Sequence, residues 1–219
     1  MEKQKVLVDA DFFNKLAKLE KNGKTIKKIL DTLDFIPVVH PYTADYELDV
    51  SHTFQRLLAE GYIQRIEYTH YLSDDIDKQY YETYFEIFHE ELRKYLEKAK
   101  PWKAIGKLIL PKDRSIFDYH KAEMSLGDVH LILTAYFMEL PVILSDDGDM
   151  GFLEERARMQ FDTDDFQLTI MSLVDVFKEI AQMQQKEFSK EELVMLAKGT
   201  GHAKEKSSVK QAWNETHSI

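Results

Sequence analysis

The 219-residue chain contains no cysteine, which excludes disulfides and thiolate metal sites together. No apolar run approaches the length of a membrane span. The first residues, MEKQKVLVDAD, lack the basic and apolar regions of a secretory signal. These absences predict a soluble, cytoplasmic protein. No internal repeat is evident, and the eight histidines show no HExxH or related zinc-binding spacing. An excess of positive charge is missing too. A net charge of −10 argues against a surface uniformly coated with cations for nucleic acid.

What is present fits one sizeable core, because 44% of the residues are hydrophobic over a chain of this length. Val6–Val8 is a continuous apolar run that reads as a buried strand within residues 4–8. Phe12, Phe13, Leu16 and Leu19 then recur at helical spacing, Asn22-Gly23 breaks that helix, and Thr25 is expected to cap a second one. Phe35–Val39 looks extended. Thr43 is expected to cap a helix whose stripe is Tyr46, Val50, Phe54, Leu57 and Leu58, closed by Gly61. Residues 62–68 allow a short strand. A long aromatic helix follows to about Ala99, with Ile76, Tyr80, Tyr84, Ile87, Phe88, Leu92, Tyr95 and Leu96 as its expected apolar face. Residues 107–110 (KLIL) are a further possible strand.

Residues 127–149 (GDVHLILTAYFMELPVILSDDGD) form the central unit: a helix, then a Pro-initiated strand Val142–Leu144. Helix over Phe152–Met159, strand over Phe166–Met171 and a Ser172-capped helix come next. Strands alternating with helices predict an α/β domain with a largely parallel sheet. Ser189-x-x-Glu192 is a capping box for a short helix to about Lys198, and residues 201–219 read as a mobile tail.

Carboxylates punctuate this pattern where chemistry would need them. Asp9 follows the first strand, Asp128 opens the central helix, and Asp146, Asp147 and Asp149 follow the strand after it. Acids crowded together raise one another's pKa, and a hard divalent cation offsets that repulsion through oxygen ligands. With no thiolate and no zinc spacing, Mg²⁺ or Mn²⁺ is favoured over Zn²⁺. Each acid has a simpler reading: Asp9 as a helix cap, Asp-Asp-Gly-Asp as a turn, and Glu47 as a first-turn carboxylate stabilised by the helix dipole. Two basic islands, residues 15–28 with six lysines and residues 93–121 with nine Lys or Arg, suit phosphate contacts or plain solvated helix faces.

The succession VLVDADFF, VHPYTADYEL and SLGDVHLILTAYFMELPVILSDDGDM resembles the PIN-domain nucleases over about residues 4–180. That resemblance implies a three-layer α/β/α fold with a mostly parallel five-stranded sheet. It places a PIN-like domain at 1–182, with a helix-rich insertion at 62–121, and leaves a C-terminal helix and tail at 183–219. It implies that Asp9, Glu47, Asp128 and Asp147 carry the reaction and hold Mg²⁺ or Mn²⁺ with help from Asp149. Ser145 stands in the family's Thr/Ser position, Asp11 where Asn is common, and Met150 where an aromatic is usual. Asp11, Ser145 and Asp146 are then auxiliary.

The expected reaction is hydrolysis of single-stranded or structured RNA, with Lys24, Lys27, Lys28, Lys103, Lys107 and Arg114 contacting the backbone. A homodimer or an inhibitory protein partner would suit the family. Two rival readings stand beside it. One is a non-catalytic binding or assembly protein on the same scaffold, using the aromatic helix as an interface. The other is a haloacid-dehalogenase-type phosphatase, since VDAD resembles that family's DxD nucleophile motif.

Overall fold

A computed structural model describes residues 3–99, 108–121, 124–161 and 163–217. Five strands form one sheet: β1 (Gln4–Val8), β2 (Phe35–Val39), β3 (Gln64–Arg65), β4 (Val142–Leu144) and β5 (Thr169–Met171). Their order is β3-β2-β1-β4-β5, and every pairing is parallel. The chain lays down β1, β2 and β3 outward in one direction. It then crosses back to add β4 against the other side of β1. The strand order therefore reverses between β1 and β4, and the crevice outside their carboxyl ends is where such sheets bind ligands.

The helices are α1 (Ala10–Leu19), α2 (Lys24–Thr32), α3 (His52–Ala59), α4 (Asp75–Ala99), α5 (Leu126–Phe137), α6 (Met150–Phe161), α7 (Leu173–Gln182), α8 (Lys190–Gly199) and α9 (Lys206–His217). Successive side chains of a strand face opposite ways, and β1 shows the consequence. Val6 and Val8 enter a core shared with Phe13, Leu16, Phe54, Phe177 and Val209, whereas Leu7 enters one shared with Phe85, Leu92, Ile132 and Leu153. One helical layer, α1, α2 and α7–α9, thus covers the first face, and α4–α6 cover the second. The fold is a three-layer α/β/α sandwich; the alternation of elements predicts its parallel sheet, and the layering is the one the resemblance implies. None of the described helices is long and apolar enough to cross a membrane.

Several local expectations need correction. Thr25 does not cap α2; Gly23 occupies that position in the left-handed region, and the Thr25 hydroxyl donates to the Glu20 carboxylate at 2.7 Å. The helix expected from Thr43 is broken into a π-helical turn, Thr43–Glu47, and the separate α3, capped by Ser51. Val50 falls in the break and is exposed. Helix α4 buries Tyr81, Phe85, Phe88, His89, Leu92 and Leu96, leaving Ile76, Tyr80 and Ile87 outside. The inward stripe is therefore offset by one residue along much of the helix.

The segment read as an insertion supplies the edge strand β3 and the helix α4, and α4 packs on α5 and α6. Leu108–Leu110, the described part of the possible strand, is not extended into the sheet. The C-terminal segment is not a loose tail over its described length. Helix α9 buries Val209 and Ala212 against α7 and α8.

Candidate functional site

Asp9 leaves β1 at the switch point with extended backbone and occupies the N-cap position of α1. Its carboxylate makes no capping bond to that helix. It accepts a hydrogen bond from Ser145 Oγ at 2.7 Å instead, across the sheet from the end of β4. The same Ser145 oxygen accepts the Asp147 backbone N–H at 3.3 Å, and the Asp147 carboxylate accepts the Asp149 N–H at 2.7 Å. The two strand ends are thereby tied into one acidic rim. Asp9 is buried, Asp147 is exposed, and Asp149 is buried at the start of α6.

Glu47 ends the π-helical turn, and its carboxylate lies against Gly127, the residue before Asp128 on α5. A Cβ at Gly127 would approach Glu47 Oε1 to 2.6 Å, so the close contact depends on glycine there. Glu47 Oε2 is buried without a hydrogen-bond partner. Just upstream, Ser125 adopts φ 52°, a left-handed conformation that a residue with a Cβ holds only under constraint. The start of α5 is thus fitted around the Glu47 carboxylate.

The acids feel one another. Burial raises Asp9 to about 6, and the charges of Asp11 and Asp147 add to that while Ser145 opposes it. Burial, then the charge of Asp9, raises Glu47 to about 7. Asp128 is pushed well above the carboxylate range by burial, then by Asp9, Asp147 and Glu47 in turn. The four sequence-predicted acids are therefore electrostatic neighbours at one crevice. In the conformation seen, however, no group of three or more His, Asp or Glu side chains among the described residues is gathered closely enough to hold a metal ion.

The remaining expected residues divide sharply. Asp11 is exposed and pairs with Lys15 at 2.9 Å. Asp146 turns away from the rim. Its side chain accepts from Lys15 Nζ and His202 Nε2, each at 2.7 Å, and from the Leu173 N–H at 3.1 Å. It fastens the acidic loop to α1, α7 and the segment between α8 and α9. No local pattern in the sequence marks His202, which lies 56 positions from its partner Asp146.

Among the cations, Lys27 pairs with Glu60 and Lys28 with Glu192, while Lys24 sits at the start of α2. Arg114 lies over the Tyr119 ring at 5.9 Å. Lys103 and Lys107 lie outside the described residues. The lysines that share a cleft with Glu47 are Lys18 and Lys21, together with Asn14 and His52.

Behind the acids stands a second buried polar assembly. His40, at the end of β2, stacks on His130 of α5 with ring centroids 4.6 Å apart. His40 Nδ1 accepts the Tyr42 N–H at 3.1 Å, and the Tyr81 hydroxyl bonds His130 Nδ1 at 2.9 Å. Both Nε2 atoms are buried and unpartnered. Burial lowers His130 to about 3 and holds His40 well below the ordinary imidazole value. No protein-family model matches this chain, and no curated protein or solved structure gives a significant match.

Proposed function

We propose that the chain is a metal-dependent nuclease acting on RNA, with Asp9, Glu47, Asp128 and Asp147 as its working acids. The observation that carries this reading is the electrostatic coupling of those four carboxylates beside the sheet's switch point, where three of them are raised by burial and then by neighbouring acids. Coupled acids, three of them raised by burial, are unfavourable when ionised, and a hard cation relieves that repulsion. The donor set fits such an ion in kind: only oxygen is offered, one Glu47 oxygen lacks any partner, and Gly127 leaves room for that carboxylate. Mg²⁺ or Mn²⁺ held by these acids, with Asp149 beside them, would supply activation of water and neutralisation of the leaving oxygen.

The chain's own residues would do the positioning. Ser145 fixes the Asp9 carboxylate by donating to Oδ2, leaving the other oxygen free of that bond. The Asp149 N–H orients Asp147. That no three of these acids are gathered as a metal-holding group among the described residues favours a second reading, a binding protein that keeps the scaffold without the reaction.

Cleavage of end-labelled single-stranded RNA with Mn²⁺, Mg²⁺ or EDTA separates the two readings. Wild-type protein should cut with metal and not with EDTA, and Asp9→Asn or Asp147→Asn should each lower the rate by about 100-fold or more. Cutting that persists in both variants would remove these acids from the reaction. If the wild type neither cuts nor gains thermal stability from Mn²⁺, the binding-protein reading stands.

A further inference from the structure

We propose that Glu47 lies on a track for single-stranded nucleic acid, with a phosphate-binding cleft on one side and a base-stacking step on the other. This rests on the nuclease reading for its substrate and adds where that substrate would lie.

The cleft, of about 370 Å³, runs between α1 and the segment from Glu47 to Thr53. Lys18 and Lys21 line one wall and Glu47 the other. Of the lysines in residues 15–28, Lys15 is held by Asp11 and Asp146, Lys27 by Glu60, and Lys28 by Glu192. Lys18 and Lys21 form no ion pair with any described residue. Two uncommitted ammonium groups facing a carboxylate-lined site suit a polyanion whose backbone must pass the acids. Without them, an acidic rim would repel a phosphodiester.

The stacking step is Tyr46, the residue before Glu47. Tyr46 is 40% exposed although it is a large aromatic residue. It stacks on His120 with centroids 4.3 Å apart and planes 11° from parallel. Buried Tyr42 braces both rings from beneath, at 5.3 Å from Tyr46 and 5.5 Å from His120. The pair is thus a supported aromatic surface open to solvent beside a working acid. Bases stack on such rings irrespective of sequence, and only unpaired bases present a free face. The occupant is accordingly a single strand rather than a duplex.

Fluorescence anisotropy of a labelled oligoadenylate, in EDTA so that no cutting intervenes, tests both halves with the full-length protein. Its abasic counterpart of equal length is the control. Tyr46→Ala should weaken oligoadenylate binding by about ten-fold while leaving the abasic strand unchanged, and Tyr46→Trp should retain binding. Replacing Lys18 and Lys21 with Gln should weaken both strands alike and reduce the salt slope of log K by roughly 1.5.

The proposal is overturned if Tyr46→Ala affects both strands equally or neither. It is also overturned if the lysine variant keeps the wild-type salt slope, or if a duplex binds as tightly as the single strand. Because binding is read without metal, its failure is independent of the cleavage result. Wild-type protein that binds but never cuts would leave the track standing and remove the nuclease.

Discussion

Two buried polar assemblies meet at the carboxyl edge of this sheet, and they solve the problem of burial in opposite ways. His40 and His130 surrender their charge: each is neutral, stacked, and hydrogen-bonded through one nitrogen. Asp9, Glu47 and Asp128 are raised toward neutrality, yet they stand close enough to repel one another whenever they ionise. Neutrality spares the imidazoles the cost of a buried charge, although each keeps one buried Nε2 without a partner. The carboxylates repel one another whenever they ionise. One half of the edge is therefore built as core, and the other is held in tension that a cation would relieve. If this contrast is right, substitutions on the two sides should move stability in opposite directions, with opposite dependence on pH.

The largest effect is expected on the histidine side. His130→Ala removes a fully buried ring from between His40, Tyr81 and Phe85 and takes away the Tyr81 hydroxyl's ring-nitrogen partner. The Tyr81 hydroxyl keeps only its longer bond to the residue 130 carbonyl, at 3.4 Å, and a loss of about 3 kcal/mol is expected, mainly from the cavity. That corresponds to a melting temperature lower by roughly 6–12 °C for a chain of this size. The pH dependence follows from the lowered imidazole value. Below about pH 6.5 the unfolded chain takes up a proton that folded His130 refuses until about pH 3, so the wild type loses stability as pH falls through that window. The variant lacks this loss, and the gap between them should narrow on acidification. A gap that is constant from pH 8 to pH 5 in thermal melts would show that His130 is not buried neutral.

On the acid side the sign reverses. Asp9 is raised from 3.8 to about 6 in the folded chain, so its contribution to stability is complete below about pH 4 and is lost as pH rises through 6. Asp9→Asn removes the ionisation and keeps the shape. It should therefore stabilise the metal-free protein by on the order of 2–3 kcal/mol at pH 8, with the gain shrinking toward zero near pH 4. Added Mn²⁺ should stabilise the wild type and leave the variant nearly unmoved. An Asp9→Asn protein less stable than wild type at pH 8 would mean that the Ser145 bond outweighs the burial of the charge and the repulsion from neighbouring acids.

How much of this was legible beforehand depends on whether the cause was local. Val6–Val8 and Val142–Leu144 announce buried strands by composition alone, and with the strand order they fix where Asp9 and Asp147 must emerge. The resemblance to PIN-domain nucleases rests on those same positions. What escaped the sequence was tertiary in origin. Tyr80, Tyr81 and Tyr84 all recur at helical spacing with later apolar residues, so periodicity could not choose the inward face of α4; packing on α5 and α6 did. The lysines of residues 15–28 look alike until Glu60 and Glu192 claim Lys27 and Lys28. Helix α9 begins in a polar stretch and is held by the apolar contacts of Val209 and Ala212, which only the fold supplies. The His40–His130 stack joins residues 90 positions apart, and no motif spans that distance.

The smallest stability change is expected where the acid side leans on α5, and it gives the sharpest separation of stability from function. Gly127 lies in the first turn of α5, where alanine would add less than the roughly 1 kcal/mol it adds in a helix interior. Here the new methyl would come within 2.6 Å of Glu47 Oε1, closer than such atoms can approach. The obstructing atom is the end of a flexible side chain, so the carboxylate can swing aside while α5 stays in place. Gly127→Ala should therefore fold with a melting temperature within a few degrees of wild type. It should nevertheless lose the Mn²⁺-induced stabilisation and the RNA cutting that depend on where Glu47 points. Retention of both would show that the close fit between Glu47 and Gly127 is packing alone. Loss of both in a stably folded variant would place Glu47 among the working acids and separate it from the histidine core behind it.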